Sequence, residues 1–334
     1  MSNAQTDAPL RVVFMGSPRI AVPTLEALIA NGQDVVGVVT QPDKPAGRGH
    51  GLVAPPVKEA ALRHGIPVLQ PPRLRRPEAV AALGELRPDV IVVFAYGQIL
   101  RPAVLELPRL GCLNIHPSLL PRYRGVAPIN WAILEGLDET GVTIMLMDEG
   151  VDSGPILAQA RERVRPDDDA ETLGARLAEL GAELLARTLR DWAAGRIQPK
   201  PQDGGDATFT RMLTREDGRV DWRLSAVEIE RRSRAFRPWP GLYTTFGGRT
   251  LKLLDVVVLE SPTEGREPGE VIGEVEVNGE PAIAVATGSG ALGVRQLQLE
   301  GKRAMGVAEF LRGYPRLAGS RLGDTADDGE SGRA

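Results

Sequence analysis

VIVVFAYG, residues 90–97, is the most hydrophobic run in the chain, and its reading decides the fold. A strand apolar at every position, not only at alternate ones, is buried on both faces, as in a parallel sheet covered by helices. Working outward, LRVVFMG (10–16) and DVVGVVT (34–40) repeat that signature on either side of a helical segment at 20–30. Pro18 suits the first turn there, where a missing N–H costs nothing. Helical stretches at 56–64 and 79–86 bracket a short apolar segment at 66–69. Two further apolar strands, 111–115 and 142–147, flank a helix at 127–135; residues 156–164 alternate as a strand, and 170–194 form a long amphipathic helix. This alternation predicts an α/β domain over 1–194 with a mostly parallel, Rossmann-like sheet.

The composition then shifts. GRIQPKPQDGGDA, residues 195–207, reads as a linker by its Pro, Gly and polar content. Beyond it, one helical patch at 224–236 precedes short alternating strands at 251–259, 283–287 and 294–299. Gly and Pro separate them, which predicts a small β-barrel or sandwich over 208–318. Residues 319–334 are small and polar and read as a disordered tail.

At 334 residues, two domains are the better expectation. Cys112 is the single cysteine, which excludes an internal disulfide framework and fits a reducing cytosol. With three histidines beside it, a Cys/His zinc site lacks ligands, so no metal is expected. No apolar run reaches membrane-span length, and MSNAQTDAP lacks the apolar core of a signal peptide. The reading is a soluble, cytoplasmic protein without a membrane partner. No self-complementary apolar segment stands out, so a monomer is expected.

In an open parallel sheet, ligands bind beyond the carboxyl ends of the strands. There the sequence places GCLNIHPSLLPRYRG, residues 111–125, and after the next strand DEGVDSG, residues 148–154. Asn114 and His116 stand two apart and so point to one side of a strand. With Asp152 they make an amide, an imidazole and a carboxylate, a set suited to acyl transfer without a covalent enzyme intermediate. From spacing alone, a hydrogen-bonded structural pair is the commoner fate of Asn-x-His, and Asp-Ser-Gly is ordinary turn chemistry. Serine-hydrolase, P-loop and dinucleotide fingerprints are absent. Gly16 therefore reads as a close-packing glycine, and Cys112 as a small core residue.

Two further features concern polyanions. The glycine-rich loop TQPDKPAGRGHGL, residues 40–52, carries Lys44, Arg48 and His50, and suits a phosphate backbone or a merely mobile surface loop. Residues 208–252 hold ten basic side chains against five acids, a local +5 in a chain of net −4. Such a face is an electrostatic footprint for nucleic acid, or simply a solvated arginine-rich helix.

These stretches resemble a known family. GCLNIHPSLLPRYRGVAPI (111–129) and GVTIMLMDEGVDSGPIL (141–157) are similar to the signature of the folate-dependent formyltransferases. TQPDKPAGRGHGL and AFRPWPG (235–241) narrow the resemblance to the branch acting on methionyl-tRNA. The resemblance implies formyl transfer from 10-formyltetrahydrofolate to the amino group of methionine on initiator tRNA, and an OB-like second domain lying against that tRNA. It implies that Asn114 donates to the oxyanion, that His116 assists proton movement, and that Asp152 orients His116 and a relaying water. It assigns Ser118, Leu119, Leu120 and Pro121 to tetrahydrofolate contact, and Phe94, Tyr96 and Ile99 to the wall of the pterin pocket. Lys44, Arg48 and Arg237 would meet the tRNA; Lys44 and Arg237 stand where the family more often has Arg and Asn. The alternative is a formyltransferase acting on a sugar-nucleotide amine or glycinamide ribonucleotide.

Overall fold

The apolar runs assemble into one seven-stranded sheet. Its strands are β1 (Arg11–Gly16), β2 (Asp34–Val39), β3 (Val68–Leu69), β4 (Val90–Phe94), β5 (Cys112–His116), β6 (Glu139–Leu146) and β7 (Ile156–Arg163). The computed structural model describes residues 9–46, 51–260 and 263–323. The chain divides into two units: Met1–Pro128, Asp138–Val164 and Thr172–Arg211 in the first; Ile129–Leu137, Arg165–Glu171 and Met212–Ala334 in the second.

The sheet order is β7-β6-β5-β4-β1-β2-β3. Strands β3, β2, β1, β4 and β5 run parallel, whereas β6 is antiparallel to β5 and β7 to β6. β6 is apolar and buried along most of its length, although it is antiparallel. Its hydrophobicity reports burial on both faces and carries no information about direction. β7 alternates half-buried and exposed residues, as an edge strand open on one face does.

Because β1 leads to β2 on one side and β4 lies on its other side, the strand order reverses at β1. The crevice beyond the carboxyl ends therefore opens there. Gly16 closes β1 at this point. A Cβ on it would come within 2.8 Å of the Phe94 carbonyl and 3.0 Å of the Ala21 Cβ, so close packing explains the residue. Proline stands at the first or second position of helices α1 (Val22–Ala30), α2 (Pro56–Arg63) and α3 (Pro77–Glu85), where no hydrogen bond is forfeited. The 24-residue α4 (Ala170–Ala193) buries Leu173, Leu177, Leu184, Leu185 and Leu189 at helical spacing.

Residues 195–207 are bound along the first unit. Lys200 exchanges backbone hydrogen bonds with Ile156 at 2.8 and 2.9 Å, and Thr208–Thr210 lies beside residues 121–125.

The second unit is an antiparallel sheet of β8 (Leu242–Phe246), β9 (Arg249–Leu259), β10 (Val271–Val277), β11 (Glu280–Ala286) and β12 (Ala291–Leu299). Its order is β8-β9-β12-β11-β10, with Met305–Gly306 added to β12. Helix α5 (Ala226–Ala235) starts from a capping box in which Ser225 and Glu228 satisfy each other's backbone N–H groups. Among the described residues no ladder joins the outer strands β8 and β10. Residues 319–323, assigned to a disordered tail by their composition, lie between those edges. Gly319 donates to the Val271 carbonyl at 3.1 Å, Val271 donates to Ser320 at 2.8 Å, and Gly323 donates to Thr245 of β8 at 3.0 Å. Leu322 is buried there. No described helix is long and apolar enough to cross a membrane.

Candidate active site

Asn114 and His116 lie on the last residues of β5 and, as period-two geometry requires, face the same way. Asp152 reaches them from the turn between β6 and β7. Its Oδ2 lies 3.6 Å from His116 Nδ1, and Asn114 Nδ2 lies 3.4 Å from its Oδ1. The same carboxylate accepts the Gly125 backbone N–H at 2.7 Å. The His116 side chain is 5% exposed and that of Asp152 is 17% exposed, so the carboxylate borders solvent while the imidazole is enclosed.

The imidazole is oriented by its other nitrogen. His116 Nε2 lies 2.8 Å from the Tyr123 carbonyl oxygen. A carbonyl can only accept, so Nε2 carries the proton and Nδ1 turns toward Asp152. In the neutral ring Nδ1 is a lone pair, free to take a proton. Once protonated it becomes a donor aimed at the carboxylate.

Unusual backbone surrounds the site. Asp152 has φ +47°, Tyr123 +60° and Ala127 +59°, all in the left-handed region that side chains seldom occupy. Gly125, at φ +98°, is required: a Cβ there would meet the Thr210 carbonyl at 2.8 Å.

Two side chains that the sequence did not single out hold this arrangement. Gln202 Nε2 donates to the Asp152 carbonyl at 2.8 Å and the Gly154 carbonyl at 2.7 Å. Its Oε1 accepts from Arg124 Nε at 3.0 Å and Nη2 at 2.8 Å. Gln202 sits in the polar run read as a linker, where no periodicity marks it. Arg124 occupies a two-residue strand, too short for a pattern to reveal.

The segment after His116 is internally braced. Ser118 is buried and donates its hydroxyl to the Arg122 carbonyl at 2.7 Å. Thr143 Oγ1 donates to the Ser118 carbonyl at 2.7 Å and accepts the Leu120 N–H at 3.1 Å. Leu119 and Pro121 are half-buried, whereas Leu120 is buried. On the neighbouring loop Ala95, Gly97 and Ile99 are exposed while Phe94 and Tyr96 are buried. Tyr96 belongs to the core with Val39, Leu74 and Leu83, and its hydroxyl has no hydrogen-bond partner among the described residues. What Tyr96 presents outside that core is backbone: its carbonyl accepts from Gln41 Nε2 at 3.1 Å. Burial pushes its phenol up to about 12.

Cys112 is buried, and burial drives its thiol up to about 12, which makes it inert packing. Lys44 is exposed on a short hairpin of Lys44–Ala46 and Gly51–Val53, and Arg48 lies outside the described residues. Arg237, in the second unit, places Nη1 3.5 Å from Asp169 Oδ2. The basic stretch is partly neutralised: Arg219 pairs with Glu216, Arg223 with Asp221, and Arg234 with Glu230. Among the described residues no group of three or more His, Cys, Asp or Glu is arranged to hold a metal ion.

Residues 10–189 match the formyl transferase family model, and residues 212–315 match the formyl transferase C-terminal domain. The chain belongs to the formyl transferase family. It is 48% identical over 317 residues to the methionyl-tRNA formyltransferase of Geobacter sulfurreducens, covering 95% of this chain and 98% of that protein. It is 52% identical over 319 residues to the methionyl-tRNA formyltransferase of Roseiflexus sp. (strain RS-1), covering 95% and 97%. A solved structure of WlaRD, a sugar 3N-formyl transferase, shares the fold at TM-score 0.62 with 18% identity, covering 88% of this chain and 99% of that one.

Proposed function

We propose that this chain transfers the formyl group of 10-formyltetrahydrofolate to the amino group of methionine on initiator methionyl-tRNA, as a cytoplasmic monomer. One observation carries the reading: Asn114, His116 and Asp152 converge at the end of β5 in a chain 48–52% identical, nearly end to end, to proteins of that name.

The chemistry follows from the geometry. A neutral amine attacks the formyl carbon, and negative charge gathers on the former formyl oxygen. The Asn114 amide, held by a long 3.4 Å contact to Asp152, can turn its N–H onto that oxygen. His116 Nδ1 takes the proton that the amine must lose, because Nε2 is occupied by the Tyr123 carbonyl. Asp152 then faces an imidazolium at 3.6 Å, directly or through a water, and steadies it. The imidazolium gives that proton up, directly or through a water, to N10 of the folate as the C–N bond breaks, which closes the proton balance.

The donor site is assigned to the segments that follow the adjacent strands β4 and β5, residues 95–99 and 117–121. Exposed Ala95 and Gly97 offer backbone edges and Ile99 an apolar side chain. A flat heteroaromatic ring with hydrogen-bonding edges needs such a lining. The second unit is read as an OB-like barrel, its edges spanned by residues 319–323, that lies against the tRNA. Lys44, Arg48 and Arg237 are the proposed phosphate contacts.

The test separates the two substrates. Arg48→Ala should raise KM for methionyl-tRNA at least tenfold and leave the folate KM unchanged. tRNA affinity should also fall as salt rises, because cationic contacts release counterions. An equal effect on both substrates, or salt-independent binding, would overturn the tRNA assignment of these residues.

A further inference from the structure

We infer that Gln202 is a positioning residue for the formyl-transfer step, acting through Asp152; this rests on the function proposed above. The geometry is a closed ring. The Asp152 side chain is tied to Gly125 by the 2.7 Å N–H contact, and the Asp152 main chain is tied to Gln202 Nε2 at 2.8 Å. Gln202 Oε1 returns to Arg124, the neighbour of Gly125, through two N–H donors at 3.0 and 2.8 Å. The carboxylate and the carbonyl of one residue are thus fixed to adjacent positions of one short strand.

The ring has work to do because Asp152 adopts a conformation its own chemistry disfavours. At φ +47° a non-glycine residue persists only where its surroundings over-determine it. Both N–H bonds of the Gln202 amide are spent on carbonyls of this turn, those of Asp152 and Gly154 at 2.8 and 2.7 Å. Both of its acceptor sites are filled by the Arg124 guanidinium, so the amide is fully satisfied and single-valued in orientation. Arg124 is itself buried, its charge held by this contact and by lying 5.9 Å over the Phe209 ring. Phe209 pairs in register with Arg124, and Thr210 with Gly125, so the chain segment that carries Gln202 also forms the second wall of the ring.

No other residue type satisfies these contacts. Glutamate would keep the shape and the Arg124 pairing but would set a carboxylate oxygen against two carbonyls. Alanine would remove both ties. In each case Asp152 loses its backbone anchor and drifts from the 3.6 Å approach to His116. Misplacement of a catalytic group by about 1 Å costs on the order of 10²-fold in rate.

The experiment is a double-mutant cycle on the full chain, read in steady-state formylation of methionyl-tRNA. Gln202→Ala and Gln202→Glu should each lower kcat by roughly 10- to 100-fold, with both KM values within about twofold of wild type. In an Asp152→Ala background the same substitutions should add no further loss, because they act through the missing group. Wild-type kcat in either Gln202 variant, an equal loss in both backgrounds, or a loss carried by KM would overturn the inference. Gln202→Glu retains the Arg124 pairing, so it provides the reading should Gln202→Ala fail to fold. If Asp152→Ala alone turned over like wild type, the underlying assignment of the site would fail instead, and that result is separate from the others.

Discussion

Asn114→Ala separates catalysis from stability more cleanly than any other change in the site. Among the described residues the Asn114 amide makes one side-chain hydrogen-bond contact, 3.4 Å from Asp152 Oδ1. That is longer than the usual N–H···O range of about 2.7–3.2 Å. Its removal therefore costs no more than an ordinary net hydrogen bond, about 0.5–1.5 kcal/mol. For a domain of this size that is a fall in Tm of a few degrees, at about 2–4 °C per kcal/mol. Loss of an oxyanion donor costs about 2.7–4 kcal/mol of barrier, or roughly 10²–10³-fold in turnover. The kinetic effect thus exceeds the stability effect severalfold. Saturating single-turnover formylation measures the first and a thermal melt of the same sample the second. The reasoning is refuted if the folded variant turns over like wild type. It is refuted equally if the rate loss comes with a collapse in Tm, which would make Asn114 structural.

Other consequences can be checked with simpler measurements. Ending the chain after Ala318 removes buried Leu322 and the hydrogen bonds between residues 319–323 and the sheet edges. It should destabilise the second unit by about 3 kcal/mol or more, and an unchanged melting curve would count against this role. Cys112, with its thiol near 12, should resist alkylation at pH 8 in the native protein and react fully on unfolding; rapid native labelling would contradict its burial. The Asp89 carboxylate is held below its ordinary value by the Arg11 backbone N–H at 2.9 Å and then by Arg109 Nε at 2.7 Å. A depressed folded value means that its stabilisation is present above the unfolded value of 3.8 and fades as pH falls through the folded one. Asp89→Asn should therefore lower Tm at pH 7, with the gap to wild type closing below pH 4; a constant gap would refute this linkage.

Much of this was legible in the sequence, for definite reasons. VIVVFAYG announced a strand buried on both faces, and the apolar segments at 10–16 and 111–115 supply its two neighbours in the sheet. Strand direction was not legible: β6 is buried like the parallel strands β1 and β4, yet it runs antiparallel to both of its neighbours. In the second unit LYTTF and VIGEVEV were harder to read, because two threonines interrupt the apolar pattern of the first and Gly273 that of the second. Asn114 and His116 could be paired because a strand has period two, and the turn carrying Asp152 could be placed because it follows the next strand. Gln202 could not be found that way. It lies 50 residues from Asp152 in a stretch with no period, and only the folded chain brings the two together. Tyr96 illustrates the converse: its neighbours in sequence are exposed, but its side chain turns into the core.

The central claim is that the trio at the end of β5 formylates an amine presented by tRNA. The most direct measurement supplies 10-formyltetrahydrofolate with three separate acceptors: methionyl initiator tRNA, glycinamide ribonucleotide and a UDP-amino sugar. Formylated product from the tRNA alone is the expected result. Product from a small acceptor but not the tRNA would contradict the account of the second unit and the basic loop. No product from any of the three would contradict the account of the site itself.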